Sequence, residues 1–221
     1  MTASSGRTDI TLHADGVALD GELVIPTAPI GVVAFAHISG SSRFCPRNRV
    51  MAEMLHAQHI GTLLFDLLTQ AESEHREKVF DIELLAQRLL VAVDWLGGHR
   101  ESSGLAIGLF GVSTGAAAAI VAAAERGQKV AAVVSRGGRV DLAEGRLHDV
   151  HCPTLLIVGE RDRDVAKLNR RAFGELRCPK HLVVVAGASD LFEEPGTLED
   201  AAHHAATWFS THLHQPAPVT V

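Results

Sequence analysis

The stretch "FGVSTGAAAA" contains Gly111-Val112-Ser113-Thr114-Gly115, a serine with a glycine two residues away on either side. An apolar run precedes it and an alanine-rich one follows. A serine between a strand and a helix in this pattern sits on a sharp turn that exposes its hydroxyl. The flanking residues must be small, because strand and helix backbones approach closely there. The helix start then offers N–H groups and a positive dipole end to a developing oxyanion. The chemistry is nucleophilic attack by Ser113. The plainer alternative is a small-residue turn in a dinucleotide-type sheet, and the order of strand, turn and helix favours the nucleophile.

A serine nucleophile of this kind needs an acid further along the chain and then a base. The run "TLLIVGERDRDV" carries Asp162 at its carboxyl end and Asp164 two residues on, and Asp162 is the preferred acid. Either aspartate could instead cap the helix that begins near Val165, and both roles can coexist. The upstream half of an oxyanion hole should follow the first parallel strand, at "AHISGSS". The N–H groups around Ile38 and Ser39, with that of Thr114, form the expected hole. His37 either braces this loop or carries protons.

The elements that must hold these groups are legible as patterns. "DITLHADGVALDGELVIP" alternates around Asp15-Gly16 and reads as an antiparallel hairpin. Continuous apolar runs follow at 31–37, 61–68, 105–113, 130–138, 154–162 and 181–189. Runs this apolar imply strands covered on both faces, as in parallel sheets. Helical patterns lie between them, ending with one from about Thr197 to His212. "REKVFDIELLAQRLLVAVDWL" reads as one amphipathic helix with Glu77, Asp81 and Arg88 on its wet side. The expectation is a doubly wound, mostly parallel α/β sheet that works at the carboxyl edge of its strands. One domain is expected over residues 1–221, flexible at 1–8 and 214–221.

Composition narrows the function. Apolar residues are 47% of the 221, charged ones 21%, and the formal net charge is −6. This mild acidity gives no reason to expect nucleic acid or an anionic membrane as partner. No apolar run reaches the roughly 18–20 residues that span a bilayer. "MTASSGRTDI" has no apolar core of a signal peptide, and the three cysteines suit free thiols in a cytoplasmic protein. The pairs His56/His59, His148/His151 and His203/His204 have no evident further ligand, so neither metal nor cofactor is expected. The expected partner is a small molecule, and oligomeric state is left open. Arg43, Arg47 and Arg49 gather after the oxyanion loop, and Arg136 and Arg139 follow a strand end. They could hold a carboxylate or phosphate in two-pronged fashion. Alternatively they are loop arginines paired with Asp141 or Glu144.

Over nearly its whole length the chain resembles the α/β-hydrolases of the dienelactone-hydrolase-like kind. More narrowly, it is similar to a bacterial group of small proteins found fused to, or beside, phosphoribosyltransferase domains. The matching stretches are "GVVAFAHISGSSRFCPRNR", "LLFDLLT", "VFDIELLAQRLL", "GLFGVSTGAAAA", "VVSRGGRVDLA", "PTLLIVGERD" and "LFEEPGTLE". The resemblance implies the α/β-hydrolase fold, a nucleophile at Ser113, an acid at Asp162 and a base in the loop after the last strand. The reaction it implies is hydrolysis of an ester or lactone.

Three positions depart from the pattern of that family. Its last loop reads A-[ST]-H-L-F-E-E-P-G, whereas here Ser189-Asp190-Leu191 puts Asp190 in the base position. Ile38 replaces the first glycine of the family's H-G-S-G-S-S loop. Phe44 stands near where a histidine is expected, beside Arg43 as a candidate substrate contact with Arg136. An ordinary carboxylate has a pKa near 3.9 against about 6.5 for imidazole, so it is a much weaker base toward a serine hydroxyl. Four outcomes follow: a hydrolase whose base is displaced to His37, His148 or His151; a non-hydrolytic enzyme that uses Asp190 for elimination, isomerisation or cyclisation; a non-catalytic binder; or a hydrolase altered at this position.

Overall fold

The computed structural model describes residues 6–37, 43–143 and 145–213. Two long antiparallel strands open the chain, β1 (Gly6–Ala14) and β2 (Val17–Ile25), joined at Asp15-Gly16, both with positive φ. Residues 6–8 thus belong to a strand rather than to a flexible end. There follow β3 (Gly31–Ala36), α1 (Pro46–His56), β4 (Ile60–Phe65), the single-turn helices α2 (Gln70–Ser73) and α3 (Arg76–Val79), and α4 (Ile82–Gly98). Next come β5 (Ile107–Val112), α5 (Thr114–Arg126), β6 (Ala132–Arg136), β7 (Thr154–Gly159), α6 (Arg163–Glu175), β8 (Lys180–Val185) and α7 (Thr197–His212). The strands form one sheet in the order β1-β2-β4-β3-β5-β6-β7-β8. β2 meets β4 antiparallel, and every pairing from β4 to β8 is parallel.

Apolar side chains on alternate positions of the central strands feed two cores. Val33, Phe35, Phe110, Val134 and Ile157 pack under α1 and α7, against Met51, Leu55 and Phe209. Ala34, Leu109, Val133 and Leu156 face the other way, toward α4 and α5. Coverage on both faces explains why these strands are almost wholly apolar. The fold is α/β, with helices on both sides of a mostly parallel sheet and an antiparallel hairpin at its amino end.

Three sequence expectations are corrected. The pattern through "REKVFDIELL" is not one helix, because the chain breaks at Phe80-Asp81 and the Asp81 carboxylate caps α4 by accepting from Leu84 N–H at 3.0 Å. Arg88 is not on the wet side. It is 2% exposed and gives two 2.8 Å bonds to the Glu72 carboxylate and one of 2.9 Å to the Leu67 carbonyl. A carboxylate on a separate turn could not be paired with it from helical periodicity. Finally, β8 is an edge strand, so it is only partly covered and leaves Val184 exposed.

Candidate active site

β5 ends at Val112 and α5 begins at Thr114, leaving Ser113 alone at the bend with φ 53° and ψ −128°. A non-glycine residue in this region carries strain of about 1–3 kcal/mol, which surrounding contacts must offset. The Ser113 carbonyl accepts from Ala116 N–H at 3.1 Å and from Arg139 N–H at 2.9 Å, which fixes the bend from both sides. The Ser113 side is exposed, while Thr114 behind it is buried. The two glycines of the motif are required by space. A Cβ at Gly115 would lie 2.1 Å from the Ala36 carbonyl oxygen, and one at Gly111 would lie 2.4 Å from Ala116 Cα. Close packing of α5 against the end of β3 therefore sets the elbow. Thr114 and Gly115 begin the helix, so their N–H groups belong to the first turn, which lacks intrahelical acceptors.

Asp162 caps α6, accepting from Val165 N–H at 3.2 Å, which is the capping role anticipated for it. It lies just past the carboxyl end of β7, and its own N–H donates to the Gly159 carbonyl at 3.2 Å. Asp164 is exposed in the first turn of that helix. The loop after β8 runs back across the carboxyl ends of β7 and β6. Arg161 N–H donates to the Ala188 carbonyl at 2.9 Å, and a Cβ on Gly159 would meet the Ser189 carbonyl oxygen at 2.4 Å. One strand further in, a Cβ on Gly137 would lie 3.3 Å from the Asp190 carbonyl oxygen. Residues 137–139 thus touch the backbone of Asp190 at one end and that of Ser113 at the other, and Gly159 links Asp162 to the Asp190 loop. Asp190 itself is exposed. Among the described residues, neither the Ser113 hydroxyl nor the Asp190 carboxylate makes a hydrogen bond, and no histidine is bonded to Ser113.

The histidines separate by edge. His37 follows β3 at the carboxyl edge, 2% exposed, with its backbone nitrogen 3.3 Å from where a Gly115 Cβ would be. His148 and His151 precede the amino end of β7, on the opposite edge of the sheet from Ser113, and His148 pairs with Asp149 at 3.4 Å. They are therefore badly placed to replace a base there. Ile38 and Ser39, assigned to the oxyanion hole, lie outside the described residues.

The arginines are sorted by their partners. Arg43 is committed to Asp66, by its backbone N–H at 2.8 Å and its guanidinium at 2.5 Å, and it lies over the exposed Phe44 ring at 4.5 Å. Arg139 is paired with Asp141 at 2.8 and 2.9 Å, as the plainer expectation had it. Glu144 lies outside the described residues. Arg47 reaches across to Glu193 in the β8–α7 loop at 3.3 Å. Arg136 ends β6 beside Val112, is 4% exposed, and lies between the Phe110 and Phe192 rings at 5.9 and 5.8 Å. Burial, and secondarily the charge of Arg47, pull its pKa down to about 10. The contribution of the Gly137-Gly138 pair was not anticipated. Two adjacent glycines directly after a strand were its signal in the sequence.

The profile of the dienelactone hydrolase family matches residues 51–208. A dienelactone hydrolase from Anabaena variabilis is 49% identical, with a TM-score of 0.92 over 95% of this chain and 99% of that one. A Mycobacterium tuberculosis protein whose name provisionally assigns it to the phosphoribosyl transferases is 51% identical over 210 residues. This chain spans about half (47%) of the length of that relative. Est1E of Butyrivibrio proteoclasticus, at 14% identity and a TM-score of 0.75, shares the fold. A glycine-flanked serine at the end of β5, with carboxylates after β7 and β8, fits this company, and the chain belongs to the dienelactone hydrolase family.

Proposed function

We propose that the protein is a serine hydrolase by lineage, acting in the cytoplasm on an ester or lactone of a small, carboxylate-bearing molecule. Ser113 is the nucleophile, Asp162 the acid and Asp190 the residue in the base position. The observation that carries this is the Ser113 bend: a strained, exposed serine at the start of a thirteen-residue helix. The hydroxyl oxygen attacks an acyl carbon, the tetrahedral adduct collapses with departure of the ester's alkoxide, which takes up the proton lost by Ser113, and water then hydrolyses the acyl-serine to the acid and free enzyme. The tetrahedral oxyanion is held by the Thr114 N–H and by the loop that includes Ile38 and Ser39. Ser113 must then lose its proton to Asp190 or, failing that, to His37. A carboxylate cannot accept from serine and also donate to Asp162 unless it is itself protonated. In another serine hydrolase, loss of the histidine lowers turnover about a millionfold. The native chain should therefore be a slow esterase.

A second reading is favoured by one observation, the exposed Asp190 carboxylate with, among the described residues, no histidine bonded to Ser113. In it, the inherited pocket runs a proton transfer without hydrolysis, such as an elimination, isomerisation or cyclisation, or binds a ligand without turnover. Mild net acidity supports a small-molecule ligand over nucleic acid or membrane. The two readings part on 4-nitrophenyl acetate. Turnover that disappears in Ser113→Ala supports hydrolysis. Background-level release that Ser113→Ala leaves untouched removes it in favour of the second reading.

A further inference from the structure

We infer that Cys152 and Cys178 are a redox pair, which hydrogen peroxide joins into a disulfide that staples the edge strand β8 to β7. This goes beyond the hydrolase reading and does not depend on it. Each cysteine has the same place on its own strand: Cys152-Pro153 leads into Thr154 of β7, and Cys178-Pro179 into Lys180 of β8. Thr154 and Lys180 are partners in the parallel register, so counting back two residues sets Cys152 against Cys178. The pairing continues ahead of the strands, because the Thr154 N–H donates to the Pro179 carbonyl at 2.9 Å. One side chain touches both cysteines: the Thr154 hydroxyl donates to the Cys152 carbonyl at 3.1 Å and accepts from the Cys178 thiol at 3.6 Å. Both cysteines pack into the same core, beside Ala172 and Leu176. Neighbouring strands run about 4.8 Å apart, within the roughly 4.4–6.8 Å between Cα atoms that a disulfide bridges. Neither thiol is in a disulfide in this structure.

Burial, and secondarily the neighbouring Cys178, push the Cys152 thiol up to about 12. Cys152 therefore stays protonated and is the poorer first attacker, since the thiolate is the nucleophile. The Cys178 sulfur attacks one oxygen of hydrogen peroxide. The O–O bond breaks, the thiol proton leaves with the departing oxygen as water, and Cys178 becomes a sulfenic acid. The Cys152 sulfur then attacks the Cys178 sulfur. The S–S bond forms, the S–O bond breaks, and a second water carries away the Cys152 proton. Two thiols are oxidised and one peroxide is reduced to two waters. Each cysteine is 8% exposed, which suits an oxidant this small rather than a bulky disulfide reagent. β8 is held in the sheet by β7 alone, and such edges are where local opening starts. The bond would close 26 positions of chain around α6 and fasten the strand from which the Asp190 loop leaves. It lies at the amino edge of the sheet, away from Ser113, so stability rather than turnover is its readout.

The test treats the folded, fully reduced chain with hydrogen peroxide and maps it by mass spectrometry without reduction. The intact mass should fall by about two units, for two hydrogens lost. Trypsin should release residues 147–161 joined to residues 178–180, and dithiothreitol should part them. The thermal unfolding midpoint should rise by about 5 °C or more on oxidation and return on reduction. Cys45→Ser should give the same link and the same rise. Cys152→Ser should lose both and leave a sulfenic acid at Cys178 that dimedone captures. Residues 152 and 178 left as thiols, or either of them joined to Cys45, overturns the pair. An equal rise of the midpoint in Cys152→Ser overturns the staple. Should that variant not fold, the map and midpoint of the native chain decide alone. Esterase activity enters none of these measurements, so failure of the hydrolase reading leaves them unchanged.

Discussion

At the scale of single residues, the proposed hydrolysis depends on what accepts the proton of Ser113. Position 190 is the informative one. Asp190→His puts an imidazole on a loop whose carbonyl already abuts Gly137, one strand from Ser113. We predict a gain in 4-nitrophenyl acetate turnover of at least about a hundredfold, the lower range for a positioned general base. The variant's rate should rise with pH through about 6.5, because imidazole accepts a proton only when neutral. A flat profile with no gain would mean that the pocket has diverged beyond this one side chain. Thr114, Asp162 and Ser113 could be picked from the sequence because strand-end and helix-start patterns mark them. The partners of Arg43 and Arg47 could not be, since Asp66 and Glu193 lie on segments distant in sequence, nor could the lack of an ion pair at Arg136 among the described residues.

Elements make the site by close approach. α5 lies so near the end of β3 that a methyl at position 115 would overlap the Ala36 carbonyl. Gly115→Ala should lower stability by about 1–3 kcal/mol in denaturant unfolding and displace the elbow, with turnover falling further than stability alone requires. An unchanged unfolding midpoint would show that α5 can shift freely. The α4 side depends on the buried Arg88, which gathers Glu72 and the Leu67 carbonyl. Glu72→Gln should destabilise by about 2–3 kcal/mol, because a buried guanidinium loses its charged partner. The break at Phe80-Asp81 was missed in the sequence because the apolar stripe continues through it. Asp81 prefers its capping bond to a place inside the helix, a preference that periodicity does not register.

Over the whole molecule, charge and fold set the response to acid. Bonds from Arg88 hold the Glu72 carboxyl down at about 2, and those from Arg126 and Lys129 lower that of Asp94. Backbone and hydroxyl bonds from Ser189 lower Glu194. A carboxylate depressed in the fold binds protons more readily when unfolded, so its stabilisation is present above its unfolded pKa and lost as pH falls. Thermal unfolding should therefore occur at progressively lower temperature as pH drops from about 4.5 toward 2, with Glu72→Gln showing a weaker dependence. Equal pH dependence in that variant would assign the effect elsewhere. The placement of these residues is a product of the sheet's order: parallel strands bring their carboxyl ends to one edge, where Ser113, Asp162 and Asp190 follow β5, β7 and β8 although 77 positions separate the first from the last.

Local signals in the sequence determined the class of fold, the serine bend, the Asp162 carboxylate that caps α6 and the absence of histidine at position 190. Strand and helix periods, small residues and capping side chains all act within a few neighbours, so they can be read along the chain. Tertiary structure alone decided that Arg88 is buried with Glu72, that β8 is an edge, that His148 and His151 lie on the wrong side of the sheet, and that Arg136 is buried with no ion pair among the described residues. Burial and pairing of charge depend on which distant segments fold against each other, and local spacing carries no record of that.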